Sequence, residues 1–166
     1  MDTIEILPRF TDAARVWIYA FARTLSAPEE QNVSIVLQEF VSQWNSHGQP
    51  ANGDFHLLYN KFVILAEESA SGISGCSIDS SVRVFKRLKE RHGLDALNHD
   101  LIHYRNNHDI SSVERAAFQE LISGSQITED TVVFNNIVQN LGEIRRGLWE
   151  TKLSKSWHAQ AFGIMV

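Results

Sequence analysis

The run Phe62 to Ala66, FVILA, constrains the fold more than any other stretch. Successive residues of a strand point to opposite sides, so a strand made only of apolar residues needs cover on both faces. A second run, Arg15 to Phe21 (RVWIYAF), is β-branched and aromatic and reads as another strand, with Trp17 and Tyr19 on one face and Val16 and Ile18 on the other. Phe55 to Tyr59 is β-like too and lies across Asn60-Lys61 from FVILA, which fits a hairpin or one long strand.

Helices must supply the cover. Ser26-Ala27-Pro28-Glu29 has capping-box spacing, and Val33, Val36, Leu37, Phe40, Val41 and Trp44 then recur at threes and fours, which lines one helical face. Gly48, after His47, is the expected C-terminal stop. A second helix carries Val82, Phe85 and Leu88 and ends near His92-Gly93. Ile102 to Val113, with Asn106-Asn107 inside it, suits a hairpin. Ser111-Ser112-Val113-Glu114 is a further capping-box spacing, predicting a helix through Phe118 and Leu121 that stops at Gly124.

Beyond Thr128 the signals conflict. Thr131 to Phe134 favours a strand, whereas Phe134, Ile137, Val138, Leu141, Ile144 and Leu148 have helical spacing, and the reading predicts a helix from Glu129 broken near Gly142. The sum is an α+β fold, a single domain over 1–166 with a small, mostly antiparallel sheet packed with three to four helices. HGQPANGD separates elements within that domain.

Fifteen Lys and Arg against twenty Asp and Glu leave a net charge of −5, which opposes a partner held through a phosphate backbone, so no nucleic acid is expected. The lone cysteine has no partner for an intrachain disulfide, and no apolar run reaches the roughly 18 residues of a membrane span. MDTIEILPRF lacks the basic and apolar regions of a signal peptide. The expectation is a soluble, cytoplasmic protein with no membrane partner and no motif that demands a cofactor.

The segment with most chemical content is GCSIDSSV, which sets a thiol, hydroxyls and a carboxylate between a buried strand and a helix start. Helix N-termini expose free N–H groups and about half a positive charge, so they attract anions and lower a nearby thiol's pKa. This predicts binding of a small anionic ligand by a loop from Gly75 to Ser81, with Gly75, Ser77, Asp79, Ser80, Ser81 and His47 as ligand-binding residues. Against it stands the ordinary role of Ser77 or Asp79 as an N-cap, with Cys76 a small buried hydrophobe. Two alternatives differ in class. Cys76 would be the nucleophile of a cysteine-dependent enzyme, with His47 or His56 as its base. Or Trp149 and Trp157 would anchor a protein partner, unless the C-terminal segment wraps back over the domain.

Other motifs are incomplete. His99, Asp100 and His103 superficially resemble the zinc motif H-E-x-x-H, but in an extended chain the two imidazoles lie roughly 13 Å apart at about 3.3 Å per residue. Glu67 and Glu68 follow a buried strand as acids do in nucleotide hydrolases, yet no G-x-x-x-x-G-K-[ST] accompanies them. Arg83 to Arg91, RVFKRLKER, reads as a solvated helix face whose basic residues would also attract an acidic ligand.

RVWIYAF, Trp44 with His47-Gly48, Tyr59-Asn60-Lys61-Phe62, SGCSIDSSV, TVVFNN and SWH together resemble, over nearly the whole chain, a family of small uncharacterised bacterial proteins. Its members often carry the automatic label "ABC transporter ATPase". The motifs do not support that label here, since there is neither a Walker A sequence nor an LSGGQ-type signature. The resemblance implies no site residue, and Glu150 to Lys155, ETKLSK, stands where the pattern has a proline before SWH.

Overall fold

The computed structural model describes residues 5–46, 48–69 and 75–165, apart from the side chains of 75–77. Its elements are β1 (Arg15–Ala20), α1 (Ala27–Gln43), β2 (Asn45–Ser46), β3 (Gln49–Pro50), β4 (Gly53–Leu58), β5 (Phe62–Glu67), α2 (Gly75–His92), β6 (Leu101–Asn106), β7 (Asp109–Glu114), α3 (Arg115–Ser123), β8 (Val132–Phe134), α4 (Leu141–Arg145), β9 (Glu150–Lys152) and α5 (Trp157–Ala161). The fold is α+β, with strands ordered β1-β5-β4 in one sheet, β7-β6-β8-β9 in another, and a short β2-β3 ladder. Every pairing is antiparallel.

The all-apolar run takes the central place in the first sheet. All of β5 is buried, between β1 (Ile18 opposite Ile64) and β4 (His56 opposite Ile64). Alternation sends Val16, Ile18, Phe62 and Ile64 into a core shared with Phe134 of the second sheet and Trp149 just before β9. Tyr19, Val63 and Leu65 face the other way, against Val33 and Leu37 of α1 and Phe85 and Leu88 of α2. The first sheet is thus a middle layer, helices on one side and the second sheet on the other. A third core, with Tyr104, Phe118, Leu153 and Phe162, ties α3 and the C-terminal segment to the far face of the second sheet.

The helix expected from Ser26 forms with its capping box complete, and Arg23 clasps the same Glu29 carboxylate through two N–H groups at 2.7 and 2.8 Å. Those bonds, Arg23 first and the Ser26 amide second, hold the Glu29 carboxyl down at about 2. The hairpin of β4 and β5 turns through Tyr59 and Asn60, both at positive φ. Tyr59 is pinned there by its hydroxyl, which donates to Glu150 at 2.7 Å, and by the Arg105 guanidinium over its ring.

Four expectations are corrected. Gly48 does not end α1; the helix stops at Gln43, Trp44 turns extended, and Gly48 at φ +75° lies between β2 and β3. Ser111-Ser112-Val113-Glu114 forms no capping box, because these residues pair with β6 as β7, and α3 starts at Arg115 without a side-chain cap. The predicted helix from Glu129 is absent: Val132 to Phe134 form a strand between β6 and β9, and only Leu141 to Arg145 are helical, capped by Asn140. Gly142 is no break but lies within that short helix, where an added Cβ would stand 2.9 Å from the Asp12 Cβ. Among the described residues no helix is long and apolar enough to cross a membrane.

Candidate functional site

The predicted ligand loop is helix instead. α2 opens at Gly75, so Asp79, Ser80 and Ser81 already lie in its second turn, where backbone amides bond within the helix. The side chains of Gly75, Cys76, Ser77 and the whole of His47 lie outside the described residues. Ser81 is corrected as a ligand residue: it is 1% exposed, and its Oγ donates to the Ile78 carbonyl at 2.7 Å while accepting from the Tyr19 hydroxyl at 2.7 Å. That hydroxyl is saturated by the protein itself. Asp79 is exposed, and its carbonyl accepts from Arg83 Nε at 3.4 Å. Ser80 borders a groove between α1 and α2.

That groove has a volume of about 480 Å³. α1 contributes Phe40, with Trp44 just beyond its end, and α2 contributes Ser80, Arg83, Arg87 and Arg91. A spacing of four puts the arginines on one helical face, about 6 Å apart along the axis. Among the described residues none of the three has an ion-pair partner; of the other twelve Lys and Arg, six do, so what sets these three apart is their row along one wall of the groove. Glu39 also lines the groove but is not within ion-pairing distance of them. The helix dipole favours Arg91 in the last turn, as it favours Lys89, but offers nothing to Arg83 and Arg87 in mid-helix.

A second hollow of about 400 Å³ runs beside the outer edge of β1, with Ile78 and Val82 of α2 on one side and His103, Phe134, Trp157 and His158 on the other. His103 and His158 are 2% and 1% exposed. Each Nδ1 shares a hydrogen bond with a serine Oγ, Ser112 at 2.7 Å and Ser156 at 2.8 Å. Burial foremost, then the Lys61 and His158 charges, holds His103 at about 3. Burial and then Arg115 hold His158 at about 4. Both are neutral at pH 7. Lys61, 1% exposed, is itself lowered to about 8 by burial. The Trp157 indole Nε1 is buried with no hydrogen-bond partner among the described residues.

The remaining sequence candidates separate. His56 lies half-buried in β4, its pKa lowered by burial against the opposing pull of Asp54. Glu67 is buried and accepts from the Ser69 hydroxyl; Glu68 accepts from the Thr11 amide at 2.8 Å and hydroxyl at 2.6 Å, so both acids serve the framework. His99 and His103 border the same hollow, but the described residues contain no cluster of three or more groups placed to hold a metal ion. Trp149 is corrected as a docking anchor: it is 3% exposed and its Nε1 donates to Asn136 at 2.9 Å. The C-terminal segment wraps back, with Phe162 in the third core.

The arginine spacing was visible in RVFKRLKER, but its facing partners, Phe40 and Trp44, were legible only as core residues. The open strand edge left no trace in the sequence. Compared with protein-family models, curated proteins and solved structures, the chain matches none.

Proposed function

We propose that this protein binds a small organic anion in the groove between α1 and α2, where Arg83, Arg87 and Arg91 meet its charges and Phe40 offers ring surface to its apolar part. The single observation that carries the reading is the row of arginines left without carboxylate partners beside a ligand-sized hollow. Like charges four residues apart repel by roughly 0.2–0.5 kcal/mol per pair, a cost that a bound anion removes. Guanidinium forks suit carboxylate and phosphate groups because they donate two parallel N–H bonds. The anion expected from the sequence is retained; its place moves from the first turn of α2 to the flank of the helix.

Calorimetry and thermal shift at low ionic strength with inorganic phosphate, citrate and nucleoside monophosphates test the reading. Binding should weaken steeply as salt rises through about 0.15 M, where the Debye length is about 8 Å, and should be lost in the Arg83→Ala/Arg87→Ala double variant. Absence of binding by any of these anions at millimolar concentration, or binding that the double variant retains, rejects it.

A further inference from the structure

From the hollow beside β1 we infer a second binding site, independent of the arginine groove, that takes a short neutral peptide segment in extended conformation. β1 is an edge strand: β5 pairs with one side of it, and among the described residues no strand pairs with the other, which carries the isolated bridge of Arg15 with Asn140 at its start. On the open side the Val16 amide donates to the Gln139 carbonyl at 3.0 Å, and the Ala22 amide donates to the Asp95 carbonyl at 2.9 Å. Backbone direction alternates in an antiparallel strand, so the amides and carbonyls of Ile18 and Ala20 face the same way as those of Val16 and Ala22. They have no partner among the described residues, although both residues are only 8% exposed. Buried backbone groups are almost always paired in folded proteins, and the partner that fits alternating N–H and C=O groups is another extended chain.

The hollow fixes the kind of chain. Gln139 and Asp95 close the edge at both ends, so about three residues fit, spanning roughly 10 Å. Ile78, Val82 and Phe134 give apolar walls for its side chains. The Trp157 indole N–H is a buried donor without an acceptor, which a peptide carbonyl would supply. His103 and His158 line the same wall, each with Nδ1 held by serine and Nε2 free of any partner among the described residues. Uncharged imidazoles beside an uncharged indole favour a ligand without charge; Arg15, the one Lys or Arg of the lining, precedes Val16, where Gln139 already closes the edge.

The probe is a set of N-acetylated, C-amidated tripeptides of valine, leucine or phenylalanine, added to the full chain, each matched by an ester analogue lacking the central amide. Amide-resolved NMR should show the Ile18 and Ala20 amides and the Trp157 indole shifting on peptide addition, with at least tenfold slower hydrogen exchange at the two amides. The ester should bind about tenfold more weakly, and Trp157→Phe, which keeps the ring, should weaken the tripeptide several-fold. Indifference to 0.5 M salt separates this outcome from binding at the arginines. Unmoved Ile18 and Ala20 signals at millimolar peptide, equal affinity for peptide and ester, or shifts confined to α1 and α2 would overturn the inference. Should Trp157→Phe fail to fold, the peptide and ester comparison on the unaltered chain decides alone.

Discussion

The two hollows flanking α2 are nearly equal in volume, about 480 and 400 Å³, and opposite in electrostatics. The groove against α1 is made by long side chains whose charges sit in water, so solvent and salt set its strength. The hollow beside β1 is made mostly by backbone groups, apolar side chains and neutral rings, with Arg15 at one end, and in its buried part each unpaired donor or acceptor costs free energy directly. Substitutions should therefore alter binding in the first without touching the fold, and should alter the fold whenever they touch the second.

The largest test of that contrast is Phe62→Ala. Phe62 packs on Phe134 at 4.6 Å, Trp149 at 5.2 Å and His103 at 5.5 Å between ring centroids, on the face of the first sheet away from α1 and α2. Its loss should cost about 3–5 kcal/mol by denaturant unfolding, from lost transfer energy and the cavity left behind. Anion affinity measured on the folded fraction should be unchanged; a matching loss there would mean the two regions are coupled.

Acid offers the next separation. His103 and His158 have folded pKa values lowered to about 3 and about 4 from 6.5, so on acidification the unfolded chain takes up protons first. Their stabilisation is complete above pH 6.5 and is lost as pH falls from there, towards about 4 for His158 and about 3 for His103, by up to about 1.4 kcal/mol per pH unit for each histidine. Replacing His158 with Gln should flatten the profile of unfolding free energy against pH in that window. A profile identical to that of the unaltered chain would show that His158 titrates normally. Glu29, lowered to about 2, acts at the acid end of that window and beyond it: its contribution is present above about 4.5 and lost as pH falls towards 2.

The smallest effect is expected at the groove. Arg83→Ala/Arg87→Ala should change unfolding free energy by no more than about 0.5 kcal/mol, since both side chains are exposed. A loss above about 2 kcal/mol would show that the arginines are structural and would remove the contrast.

Local pattern carried the strongly periodic elements. FVILA had to be covered on both faces and is; RVWIYAF divided its two faces between two cores as alternation requires; Ser26 and Glu29, three residues apart, wrote the start of α1 locally. Residues 128–150 were illegible for a physical reason. A strand of three residues and a helix of five are too short to be stable from their own propensities, so β8 exists because β6 and β9 flank it, and α4 because Asn140 caps it and Asp12 receives the Gly142 amide.

At the candidate sites the division follows the same physics. The arginine row depends only on a spacing of four along one helix, which the sequence determined by itself. Which helix faces that row, and which edge of β1 is left open, depend on contacts between residues far apart in the chain, such as Val16 with Gln139 and Ala22 with Asp95. Those pairings form only when the sheets and helices pack, so the tertiary structure alone decided them.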